Sequence, residues 1–366
     1  MNGHFQLAQE TAGTGIVITN GAACFCPGTL IRTDRGDVAV EALAIGDRVV
    51  TAFGATRPIR WIGHRHLDLS RHPAPERVSP IRVRAHAFAN AAPDRDLLVS
   101  PDHAVLYDGA LVPVRLLVNG ASIVCEADCR AVTYYHVELD AHDILLTNNL
   151  PVESYLDTGN RRMFENADAA LLLHPDLSND QARREAESCM PFVDEAARVE
   201  PMWRQLAMRA VQLGLRSPAE FATTDDPALC LLVNGRRVLP LCAPQGRYVF
   251  VLPSTNGMAR LLSRSAVPNE ATPWVEDRRR LGVMLRALVL RSDAATTSIP
   301  LDHPGLQEGW WTAEWLSPTA LRRWTNGDAV LPLPRGMAVP CLLEVDVAST
   351  LPYPLPATGG PERAAA

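Results

Sequence analysis

From Leu30 to about Tyr155 the apolar residues come in short runs: LIRTDRGDVAVEAL, DRVVTAF, RPIRWI, IRVRAHAF, DLLVSPDHAVLY, VPVRLL, ASIV, TYYHVEL and HDILLTNNL. Runs of this length, separated by turn residues and lacking helical periodicity, predict an all-β unit. Asp34-Arg35-Gly36 and Phe53-Gly54 supply hairpin turns, and Pro58 and Pro80 stand where runs begin, as edge or first-strand prolines should. After Phe164 the period changes. Asn179–Ser188 and Val199–Gly214 read as two helices, the second with Trp203, Leu206, Arg209, Ala210 and Leu213 at three-to-four spacing.

From about Pro227 alternation returns in ALCLLVNGRRVLPL, GRYVFVLP, MARLLSRSAVP, RRLGVMLRALVLR, DAVLPLP and CLLEVDVAS, with Asn-Gly turns at 234, 256 and 326. A second all-β domain of sandwich type is expected. The organisation predicted is therefore mainly β: an N-terminal flank (1–23), a β unit (24–165), a helical linker (166–219), an all-β domain (220–350) and a disordered tail (351–366) rich in Pro, Gly and Ala.

The chain has 366 residues, enough for two or three domains, and at 47% hydrophobic and 21% charged it matches ordinary globular usage rather than a disordered or fibrous chain. Thirty-five basic residues against 41 acidic leave a net charge of −6, which argues against a general nucleic-acid binder. Every basic residue is arginine. Eight cysteines without a second matching CxxC or HxxxH argue against a disulfide scaffold or structural zinc, and no cofactor is implied. Neither a Sec signal nor a run of about 18 apolar residues occurs, so no membrane span is expected and the location is cytoplasmic, or exported without such a signal.

Candidate chemistry gathers in CFCPGTLI (Cys24–Ile31) and VSPDHAV (Val99–Val105). A thiol is the best neutral-pH nucleophile a chain offers once a neighbour handles its proton, and a histidine on a later strand suits that duty. By spacing alone Cys24 reads as a small buried apolar residue and His103 as a turn histidine. Cys24 and Cys26 fall on one face of a strand without favourable disulfide geometry, so Cys26 is read as packing.

These residues also carry a resemblance. CFCPGTLI followed by GDVAVEALAIGDRVVT looks like the opening of a Hint domain, the self-processing module shared by Hedgehog proteins and inteins, with Cys24, Gly28, Thr29 and Gly46-Asp47-Arg48-Val49 matching its first block. Ser100-Pro101-Asp102-His103 is similar to its Thr-x-x-His block. Thr133–Phe164 is similar to its closing strands, and the stretch from Glu153 to Arg161 resembles a bacterial Hint subgroup. The resemblance spans about 24–165. It implies a pseudo-two-fold β domain in which Cys24 attacks the Ala23 carbonyl, His103 supplies a proton to the leaving nitrogen, and Thr29 and Ser100 bond the scissile carbonyl or oxyanion.

The intein ending, His-Asn before a nucleophile, is missing, because Glu153-Ser154 occupies that place and Asn148-Asn149 precede Leu150. The expectation is N-terminal cleavage without splicing, a single-turnover event whose substrate is the chain's own N-terminal segment. The acid that Hedgehog proteins use for sterol transfer is replaced by Gly63 or His64, and about 140 residues leave no room for an inserted endonuclease. Two other readings stand beside this one: a non-catalytic Hint scaffold, and a glycan-binding or interaction protein acting through GWWTAEW, Arg323-Trp324 and DRRRLG. Those tryptophans read as well as sandwich core. Asp102 either orients the imidazole or solvates a turn. Arg57, Arg60, Arg65, Arg71, Arg77, Arg82 and Arg84, against Asp68 and Glu76, form a strip for an anionic partner or a solvated ribbon face. Cys125 and Cys129 are two ligands short of a metal site.

Overall fold

Turn residues at positive φ, such as Gly36 and Gly54, close hairpins that let the short apolar runs pair locally. The computed structural model describes residues 23–167, 184, 186–215, 222–253, 258–275, 277–292, 295–317, 320–333 and 341–355. Two compact units result, Met1–Pro218 and Ala219–Ala366. The N-terminal flank before Ala23 lies outside the described residues, as does most of the helix expected over 179–188.

The first unit follows the apolar runs strand by strand: β1 (Leu30–Thr33), β2 (Gly36–Ala39), β3 (Arg48–Val50), β4 (Thr56–Pro58), β5 (Trp61–Asp68), β6 (Ile81–Val83), β7 (Leu97–Val99), β8 (Ala104–Tyr107), β9 (Ala110–Pro113), β10 (Ile123–Cys125), β11 (Ala131–Glu138), β12 (Ile144–Thr147) and β13 (Leu150–Glu153). One sheet runs β4-β3-β1-β12-β13-β8-β9 with β2 on β1, a second runs β10-β6-β7, and β5 pairs with β11 over its whole length. All these ladders are antiparallel. Gly63 in β5 packs under the Trp61 ring and Phe164, where any Cβ would clash with both, so β5 carries no acid at this position.

The helix α1 (Ala196–Gln212) departs from the expectation of a linker, since it packs on the β unit. Val199, Met202, Leu206 and Ala210 form one buried stripe, Trp203 Nε1–H donates to Val118 O at 2.8 Å, and Arg209 reaches His86 O and Asn90. Burying a side chain of Met or Leu size contributes roughly 1.5–3 kcal/mol, which is more than helix propensity supplies, so the stripe fixes where this helix goes. Leu213, on the sequence pattern part of that stripe, lies past the helix end and is exposed.

The second unit stacks two antiparallel sheets on one apolar cluster, the sandwich expected from its alternation. Four strands run in the order Arg236–Val238, Cys230–Val233, Met258–Leu262, Asp328–Pro332. The other sheet is ordered Arg247–Leu252, Cys341–Ser349, Met284–Ser292, Ala320–Trp324, Glu314–Ser317, with Thr296–Ile299 added beside Met284–Ser292. Along Cys341–Ser349 alternate residues Cys341, Leu343, Val345 and Val347 are buried against Phe250, Leu285, Leu288 and Leu331. The tail corrects the expectation of disorder from Leu351. Tyr353 is fully buried, its hydroxyl donates to Gly282 O at 2.7 Å, and Tyr353–Pro354 pairs with Thr223–Thr224; residues 356–366 lie outside the described residues.

Candidate active site

The segment Cys24-Phe25-Cys26 is held between β11 and β7 by main-chain bonds on both sides. Phe25 exchanges N–H···O bonds with Tyr135 at 2.7 and 2.8 Å, Cys26 N–H donates to Leu98 O at 3.1 Å, and Ser100 N–H donates to Cys24 O at 2.9 Å. A backbone tied at consecutive residues has little freedom left, so the peptide entering Cys24 is held in one orientation. Cys24 is 1% exposed and Ala23 is buried too. Gly28, at φ +80°, opens the following turn and its N–H donates to both carboxylate oxygens of Glu41.

Thr29 and Ser100 part company here. Thr29 Oγ1 donates to Cys26 O at 2.8 Å and closes the turn, whereas its expected contact was with the scissile carbonyl. The Thr29 N–H donates to the same carbonyl at 3.3 Å, so the side chain adds to a turn that its own backbone closes. Ser100 Oγ accepts the Cys24 N–H at 2.8 Å, so it grips the scissile nitrogen. Asp102 pairs with Arg115 at 3.1 Å.

His103 is fully buried beside this segment, its ring 4.3 Å from that of Phe25. Nε2 lies 3.2 Å from Glu153 O, and because a carbonyl oxygen only accepts, Nε2 carries the proton in that contact. Burial holds the His103 pKa below its ordinary value, so the ring is neutral near pH 7 and Nδ1 presents a lone pair. Nδ1 has no hydrogen-bond partner among the described residues. The Cys24 carbonyl lies near enough to favour the protonated ring. Burial also pushes the Cys24 thiol well above its usual range, with Arg65 pulling the other way, so this sulfur needs a base before it can attack.

Behind His103 stands a set of buried polar groups that motif spacing does not single out as a site. His136 meets it edge-on at 5.0 Å, and burial, then the neighbouring His103, holds His136 far below the ordinary imidazole pKa. Glu153 Oε1 accepts the Ala104 N–H at 2.8 Å, while Oε2 faces His142 Nε2 at 3.6 Å and Arg184 at 3.7 Å. Burial opposes a charge on Glu153, yet Arg184, His142 and His103 outweigh it and bring its pKa down to about 2. The signal in the sequence was a histidine or glutamate at an inward position of an apolar strand, His136 in TYYHVEL and Glu153 closing LPVE.

Cys26 packs with Cys24, Trp61 and Tyr134 in one buried cluster, and burial raises its thiol pKa to about 12. All eight cysteines are free, and no group of three metal-ligating side chains occurs among the described residues. The basic strip divides: Arg57 pairs with Asp140 and Asp143, Arg82 with Asp96 and Glu126, while Arg65 and Arg77 line a cleft beside Cys24.

Residues 23–159 match the family model described as the Hint domain. This chain carries a Hint domain. No curated protein matches the chain. Among solved structures, the gp41-1 intein is 9% identical, with 36% of this chain and 98% of that one covered at a TM-score of 0.27. A bacterial intein-like domain from Clostridium thermocellum is 18% identical, with 36% and 98% covered at 0.26. A DnaB intein from Synechocystis sp. PCC 6803 is 10% identical, with 37% and 100% covered at 0.27. The Hint domain thus contains Cys24, Thr29, Ser100, His103 and Glu153.

Outside the Hint domain, the Trp- and Arg-rich segments of the second unit have structural roles. Trp310 and Trp324 are buried, Arg279 is paired with Asp277 and Glu314, and Arg323 donates to the carbonyls of Trp311, Leu301 and Leu306. Trp315 is exposed. Among the described residues no helix is long and apolar enough to cross a membrane.

Proposed function

We propose that the Hint domain cuts its own chain at Ala23-Cys24 by an N–S acyl shift and does not splice. The observation carrying this reading is the Cys24 clamp, with the scissile N–H on Ser100 Oγ, the next carbonyl on Ser100 N–H and the neutral His103 ring alongside. His103 Nδ1 takes the proton of Cys24 Sγ, and the sulfur attacks the Ala23 carbonyl carbon. The C–N bond breaks, the nitrogen receives that same proton, and a thioester to Sγ and a free Cys24 amine remain. His103 is thereby base first and acid second, because the one proton of the neutral ring is on Nε2 at Glu153 O, and Nδ1 has none to give until the thiol supplies it. Water opening the thioester leaves a carboxylate on Ala23 and restores the thiol.

The closing block supports cleavage without ligation. Glu153 is engaged with Ala104, His142 and Arg184, and Ser154 Oγ accepts the Asp143 N–H at 3.0 Å; neither offers a side-chain amide to cyclise. Residues 24–366 are then one chain after cleavage.

A reporter domain placed upstream of Cys24 tests the reading, with products followed by mass spectrometry with and without dithiothreitol or hydroxylamine. The upstream reporter leaves, thiol accelerates its release, and Cys24→Ala abolishes both while Cys26→Ala behaves as the parent. Release that persists in Cys24→Ala overturns the assignment. A folded parent that never cleaves makes the domain a non-catalytic scaffold, and a fragment beginning near Leu150 or Tyr155 makes it an intein.

A further inference from the structure

A small cleft opens beside Cys24. It is lined by Cys24, Arg65, Leu67, Arg77, Val78, Ser100, Pro101 and Tyr134 and measures about 20 Å³, room for about one water. Cys24, the residue that carries the acyl group after the proposed shift, forms part of its wall. Two of its lining residues are half-buried arginines and none is a carboxylate. Arg65 makes no ion pair among the described residues, and its charge is felt at the Cys24 sulfur. The nearby carboxylate that also acts on Cys24 is Asp102, already paired with Arg115.

We propose that this cleft selects an anionic acyl acceptor, a small thiol or amine carrying a carboxylate, sulfonate or phosphate group beside its reacting atom. The inference rests on the acyl shift proposed above. The reacting atom enters the space beside Sγ while the anionic group stays at the guanidiniums of Arg65 and Arg77, whose planar donors suit such groups. For a thiol acceptor the exchange balances as follows: its sulfur bonds to the Ala23 carbonyl carbon, the bond from that carbon to Cys24 Sγ breaks, and the proton lost by the acceptor ends on Cys24. Water remains an acceptor, one that lacks the charge to be concentrated there.

The test uses the full chain with its upstream reporter and three thiols at matched thiolate concentration: 2-mercaptoethanesulfonate, 2-mercaptoethanol and cysteamine. Release is expected to run anionic over neutral over cationic, about tenfold between the extremes at low ionic strength and less at high salt. Arg65→Gln and Arg77→Gln are each expected to shrink the anionic-to-cationic ratio about threefold or more, compared at thiol concentrations where release rises linearly with thiol, so that thiolysis and not the first thioester sets the rate. Equal rates for the three thiols, or a preference that survives both substitutions, overturns this inference and leaves the acyl shift standing. Failure of every thiol to release the reporter overturns both.

Discussion

The buried polar side chains divide unevenly between the two units: Ser100, His103, His136, His142, Asp143, Glu153 and others lie in the first, and among the described residues Thr325 alone in the second. The second unit instead buries a continuous apolar cluster from Leu229 to Val347, and charged groups such as Arg286 with Asp346 and Arg291 with Glu344 pair at the sheet surface. Burying a polar group costs free energy unless it is bonded, so a fold that buries several has to over-determine their positions. The first unit does so with the Cys24 clamp and the Glu153 contacts. The difference separates a domain built around chemistry from one built around packing.

The largest effect that sharpens this contrast is on rate. His103→Ala is expected to slow thioester formation by about 10²–10⁴-fold with the fold retained, the usual contribution of a positioned acid or base, read from initial release of an upstream reporter. An unchanged rate would move the proton to His136 or His142. Next is Glu153→Ala, which leaves Arg184 and His142 without their counter-charge. Breaking a buried pair costs about 3–5 kcal/mol, and the loss should appear in denaturant unfolding of the first unit alone. Glu153→Gln, able to keep the bond from Ala104 N–H, should cost less.

Leu343→Ala, in the centre of the other cluster, is expected to lose about 2–5 kcal/mol from the second unit without slowing reporter release. A matching loss of cleavage would show that the two units are not energetically separate. The smallest expected difference is in pH response. His103 and His136 are held neutral, so their contribution is present above about pH 6.5 and is lost as pH falls below it, when the unfolded chain takes up protons that the fold resists. Glu153 contributes above its ordinary 4.5, and this is lost as pH falls from there toward about 2. His142, lowered by burial but raised on balance to about 9 by Cys189 and Glu153, works the other way and offsets part of the loss at the two neutral rings. Hydrogen exchange at pH 7 and pH 4.5 should therefore show a net loss of protection at first-unit amides, while those of Leu285–Leu290 and Leu343–Val347 change less. Equal losses in both units would break the comparison.

Much of this molecule was legible along the chain. Alternation and turn residues act over a few neighbours, so the strands from Leu30 to Glu153, the sandwich after Pro227 and the helix near 196–212 are read without knowing what they touch. The cysteine that opens the β unit and the histidine after Val99 stand out because residues of those types in those blocks resemble a known module. Tertiary structure alone decided which groups meet. Ser100 is 76 residues from the nitrogen it grips, Glu153 is 50 residues from the ring whose Nε2 proton it accepts, and Trp203 is 85 residues from the carbonyl that ties its helix down. Thr29 turned to a local carbonyl while Ser100 took a distant N–H, and Tyr353 found Gly282 from within a stretch of Pro and Ala. Local pattern reports how a residue's own segment bends. Whether a polar side chain ends up buried, and against what, depends on the segments that close over it.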